Sequence, residues 1–171
     1  EGRAKMVAWL VERGADVEGG TRGGGQTPLF LAARYGHAAA ARRLLEGGAE
    51  ASRAGPGGAS PLWQACYGGY FEAARALVEG GADVGQVGPR GSTPLRMACQ
   101  NGHVDVARLL IEKDADVGQA MNGGAPPLFV ACQNGHVDVA RLLIEKGAEV
   151  GQADNDGRTP LLRACETGHL D

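Results

Sequence analysis

The stretch from Ala98 to Lys113 occurs again, residue for residue, from Ala131 to Lys146, an offset of 33 residues. A chain that copies itself at this period must build its core by stacking one structural unit on the next. The same beat runs through the rest of the chain. Pro28, Pro61, Pro94, Pro127 and Pro160 stand 33 apart, each followed by leucine and preceded by Thr27, Ser60, Thr93, Pro126 or Thr159. Gly36, Gly69, Gly102, Gly135 and Gly168 keep the same spacing, and His37, Tyr70, His103, His136 and His169 follow them.

The unit is clearest in its third copy. Thr93 is suited to cap a helix, and Pro94 fills the first turn, where its missing N–H is no loss. Leu95, Ala98 and Cys99 fall on one helical face. Gly102 then ends this short helix. A second helix starts near Val104, with Asp105 at the positive end of its dipole. Its apolar side is Val106, Ala107, Leu109, Leu110 and Ile111, and it stops near Asp114, where other copies have Gly14, Gly48, Gly81 and Gly147. Two such helices cannot bury their apolar faces alone, but stacked copies can.

Thr93-Pro94-Leu95, Ala98, Gly102-His103, Leu109-Leu110 and Ala115-Asp116-Val117 resemble the ankyrin repeat, and the match extends over essentially the whole chain. The resemblance implies an all-α solenoid of helix–turn–helix pairs, with a β-hairpin-like finger at each junction. In this register residues 1–21 are a partial repeat, 22–54, 55–87, 88–120 and 121–153 are four full ones, and 154–171 is partial again. The Gly14–Gly48 spacing is 34, which places one extra residue in the finger between Val17 and Pro28. Neither end has a polar capping repeat, so the chain is expected to be part of a longer array.

A net charge of −3, from 17 basic and 20 acidic residues, argues against a nucleic-acid binder. No apolar run approaches the ~18 residues of a membrane span. Cys66, Cys99, Cys132 and Cys165 lie at equivalent positions of successive repeats. Packed helices ~8–10 Å apart are too far for disulfides or a shared zinc. The four are expected to be small, buried, reduced residues, as in a cytoplasmic or nuclear protein. The histidines are expected to make hydrogen bonds at their turns. Gly23-Gly24-Gly25 and Gly55-Pro56-Gly57-Gly58 lack the lysine and the preceding strand of a phosphate loop, and belong to finger tips. Arg42/Glu46, Arg75/Glu79, Arg108/Glu112 and Arg141/Glu145 read as i,i+4 pairs, each contributing ~0.2–0.5 kcal/mol on a solvated outer stripe.

With no catalytic set, no metal cluster and no cofactor motif, the expectation is a non-enzymatic, monomeric module that binds a protein partner. The alternative is a spacer or targeting arm of a larger enzyme or channel. The resemblance places binding on the finger tips and the exposed side of each first helix. The first-helix candidates are Arg34, Tyr35, Tyr67, Gln100, Asn101, Gln133, Asn134 and Glu166; the finger candidates are Gln26, Pro56, Arg90, Ser92, Met121, Asn122, Asn155 and Arg158. The family's histidine after Thr-Pro-Leu is replaced here by Phe30, Trp63, Arg96, Phe129 and Leu162, so its hydrogen bonds between repeats are expected to be lost. Phe30 and Trp63 are expected to pack against neighbouring fingers. Gly85, Gly118 and Gly151 stand where the family often has an asparagine that is hydroxylated in some members, and that modification is not expected.

Overall fold

The proline beat becomes a row of short helices. A computed structural model describes residues 2–21 and 25–168, and His169 lies outside the described residues. The helices are α1 (Gly2–Glu12), α2 (Pro28–Arg34), α3 (Ala38–Glu46), α4 (Pro61–Tyr67), α5 (Phe71–Glu79), α6 (Pro94–Gln100), α7 (Val104–Ile111), α8 (Pro127–Gln133), α9 (Val137–Glu145) and α10 (Pro160–Thr167). Helices α2, α4, α6, α8 and α10 stack as one row, and α1, α3, α5, α7 and α9 as the other. Each helix of the first row also packs on the one that follows it, α2 on α3 through α8 on α9. The result is the all-α solenoid that the repeat implies.

Capping explains where the first-row helices start. The Thr27, Ser60, Thr93 and Thr159 hydroxyls accept the N–H of Phe30, Trp63, Arg96 and Leu162 at 3.1–3.2 Å. Pro126 supplies no such bond, so α8 starts without a side-chain cap. The core is built from repeated leucines and alanines: Leu62, Leu95, Ala65, Ala98, Ala74, Ala107, Leu77, Leu110 and Leu143 are 0 % exposed. Each buried leucine contributes roughly 1.5–3 kcal/mol of apolar transfer.

The fingers are simpler than the resemblance implied. Among the described residues no backbone pairs as a β-strand. Each finger is a tight turn with a backbone bond across its base, such as Gly55 N–H to Ala59 O or Gly88 N–H to Ser92 O, both 2.8 Å. The first finger closes from Thr21 N–H to Gln26 O at 3.2 Å, one residue further apart in sequence. That is where the extra residue sits. Neighbouring fingers touch through Asn122 N–H to Arg90 O (3.3 Å) and Asn155 N–H to Gly123 O (3.2 Å).

Three expectations need correction. Of the outer-stripe pairs only Arg75–Glu79 forms, at 3.9 Å. Arg42 instead reaches Glu72 of the next repeat at 3.0 Å, Arg75 joins the same carboxylate at 2.6 Å, and Glu46 takes Arg43. The rise between repeats brings a neighbour's carboxylate closer than the one a turn away. Cysteine burial is also uneven: Cys66 and Cys99 are buried, Cys132 is half-buried and Cys165 is exposed, because no described helix covers its side of α10. The histidine bonds lie between repeats rather than within their turns. His103 Nε2 meets Tyr67 O at 3.3 Å and His136 Nε2 meets Gln100 O at 3.0 Å. A carbonyl only accepts, so the proton is on Nε2.

Candidate binding face

The residues that replace the family histidine shape the exposed face of the first row. Phe30 is 2 % exposed and lies against Gly55 of the next finger, where a β-carbon would come within 2.6 Å of its ring. Trp63 repeats the arrangement on Gly88, at 2.7 Å. Its indole Nε1–H also donates to Ser92 Oγ at 2.9 Å, and Ser92 donates onward to Pro89 O at 2.6 Å. A hydrogen bond between repeats is therefore kept at this position, with a different donor. Ser92 is 3 % exposed and fully engaged, so it is a structural residue and not part of the accessible finger. Phe129 is buried, whereas Leu162 is exposed.

Between α2 and α4 the face opens into a cleft of about 480 Å³. Phe30, Trp63 and Tyr70 give it aromatic walls, and Gln26, Arg34, Pro56, Gln64, Tyr67 and Gly68 complete the lining. Tyr67 is 51 % exposed and stacks on Trp63, with centroids 5.6 Å apart and planes 4° from parallel. Tyr35 is 57 % exposed, and the Arg34 guanidinium stands 5.8 Å from its ring. Of the sequence candidates, Gln26, Arg34, Pro56 and Tyr67 come together here. Gln64 and Tyr70 were not singled out in the sequence; the signal for Tyr70 was its place in the histidine column.

Further along, the amides serve the stack. Asn101 Nδ2 donates to Met97 O and, across the repeat, to Tyr67 O, at 3.1 and 3.2 Å. Asn134 Nδ2 does the same to Val130 O and Gln100 O, at 2.9 and 3.1 Å. Gln100 Oε1 accepts from Arg96 at 2.8 Å. Gln133 and Met121 are half-buried, and Asn122 is exposed. Asn155 Nδ2 reaches Asn122 O at 3.3 Å. At the far end Arg158 pairs with Asp154 and Asp156, and Glu166 with Arg163. Arg90 sits exposed at a finger tip with φ +59°, a left-handed conformation that Gly57 adopts in the preceding finger.

The remaining chemistry is quiet. Burial pushes the Cys99 thiol up to about 12 and raises Cys66 and Cys132 as well, which keeps the fully buried Cys66 and Cys99 protonated and unreactive in the folded chain. Among the described residues no group of three or more histidines, cysteines or acids could hold a metal, and no helix is long and apolar enough to cross a membrane.

The family model for ankyrin repeats (3 copies) matches residues 1–87, 53–121 and 117–171. These matches together span the chain, which therefore belongs to the ankyrin-repeat family.

Proposed function

We propose that this ankyrin array is a non-catalytic module that holds a protein partner on the face made by its first-row helices and finger tips. Ankyrin repeats in general are protein–protein interaction modules. The reading takes 22–54, 55–87, 88–120 and 121–153 as full repeats of one array and the flanking residues as partial ones. It keeps Gln26, Arg34, Tyr35, Tyr67, Arg90, Gln100, Asn101, Met121, Asn122, Gln133, Asn134, Arg158 and Glu166 as the contact set, in a monomer working inside the cell.

The observation that carries it is the pair of half-exposed tyrosines, Tyr35 and Tyr67, beside an aromatic cleft. Large aromatics left open to solvent next to an arginine are the usual make-up of binding hot spots. Arg90 supports the same reading, since a side chain held at positive φ carries strain that a glycine would avoid. The test is a calorimetric titration of an identified partner. Tyr35→Ala, Tyr67→Ala and Arg90→Ala should each weaken binding, the tyrosines by about 2 kcal/mol. Unchanged affinity in all three would remove this face from consideration.

A further inference from the structure

Resting on that reading, we infer that the cleft between α2 and α4 takes a peptide segment in which a carboxylate stands next to an aromatic or large aliphatic side chain. The charge pattern carries this. The finger and first-helix segments 25–35, 55–68 and 88–101 contain no aspartate or glutamate, yet they hold Arg34, Arg90 and Arg96 in a protein of net charge −3. The acids lie elsewhere. Glu46 and Glu72 on the second-row helices are held by Arg43, Arg42 and Arg75, and Asp154, Asp156 and Glu166 at the far end are held by Arg158 and Arg163.

Arg34 has no carboxylate partner among the described residues; its guanidinium stands 5.8 Å from the Tyr35 ring, and it lines the cleft. Next to this cation the walls are Phe30, Trp63, Tyr67 and Tyr70. A guanidinium beside an aromatic cavity is complementary to a carboxylate beside an apolar anchor. The anchor fills the cavity and displaces water, while the carboxylate accepts the guanidinium N–H groups. Gln26 and Gln64 on the same lining offer amides to the peptide backbone. A free anion would use the arginine and leave the aromatic walls uncovered; an uncharged peptide would do the reverse.

The experiment is selection of a phage-displayed random dodecapeptide library on the intact chain. Enriched peptides should place Asp or Glu within a few positions of Trp, Phe or Leu. Their binding should weaken about tenfold in Arg34→Glu, as loss of one charge-assisted contact requires. Arg34→Lys should retain most of it, and Arg141→Glu, the same charge change on α9, should retain all of it. Affinity should fall as salt rises from ~0.05 M to ~0.5 M. Circular dichroism of each variant confirms that the array is folded. Enriched peptides without acids, or peptides indifferent to Arg34→Glu, overturn the inference and leave the binding-module reading standing. Equal competition by a single-stranded oligonucleotide overturns it too, as does a library that yields no binder. In that last case the partner titration with Tyr35→Ala and Tyr67→Ala decides the wider reading separately.

Discussion

The imidazole of His136 rests on Gly102 of the preceding repeat: a β-carbon added to that glycine would stand 2.7 Å from the ring's Nδ1. Gly102 is thus constrained twice, by its φ of +74° and by the ring above it. Gly147 has φ +91°, but a β-carbon there would meet nothing within 4 Å. Gly147→Ala should therefore cost about 1–2 kcal/mol of backbone strain alone. Gly102→Ala should cost about 1 kcal/mol or more beyond that, because the ring must move and its bond to the Gln100 carbonyl is lost. Urea denaturation of the two variants measures the difference, and equal losses would mean the ring yields freely.

Asp114 adopts φ +65° at the position where Gly14, Gly48, Gly81 and Gly147 close the other second-row helices. Asp114→Gly should stabilise the array by about 0.5–1 kcal/mol, relief of left-handed strain outweighing the added freedom of the unfolded chain. A rise in the urea midpoint at constant slope is the expected result.

The cysteine column predicts graded reactivity. In the native protein at neutral pH, iodoacetamide should label Cys165 first and Cys132 slowly, with Cys66 and Cys99 labelled only on unfolding. Peptide mapping by mass spectrometry resolves the order. Burial raises the Cys66 and Cys99 thiols above their ordinary value of 9.0. Above that pH the unfolded chain releases protons that the folded chain retains, so these two residues make stability fall as pH rises. The double variant Cys66→Ala/Cys99→Ala should show a shallower loss between pH 9.0 and about 12.

Stability in a stack comes from neighbours, so helices covered on one side only should open first. Met6, Trp9 and Leu10 of α1 and Leu161 and Leu162 of α10 are exposed, while Leu95, Val106 and Leu110 in α6 and α7 are buried. Hydrogen exchange should release the amides of α1 and α10 well before those of α6 and α7.

The repeat register was legible because it lives in local chemistry. Thr93-Pro94 starts a helix, Gly102 ends it, and the leucine spacing selects its buried face. The extra residue near Thr21 was legible for the same reason. What the linear pattern leaves open is how far one repeat is translated and rotated against the next. That offset sends Arg42 to Glu72 instead of Glu46, carries His136 back to the Gln100 carbonyl, and swings Trp63 under Ser92. It also decides that Asn134 spends its amide on the stack. The candidate face was legible only as a set of variable columns. The cleft itself needed two repeats to converge, Gln26 and α2 from one and the Pro56 finger, α4 and Tyr70 from the next.

The most direct test of the binding face is site-specific photo-crosslinking in cells. A photoreactive amino acid replaces Tyr67 in one variant and Arg141, exposed on α9, in another. The account predicts a discrete protein adduct from position 67 and none from position 141. An adduct from position 141 with none from position 67 would contradict it, because the partner would then be held by the opposite row of helices.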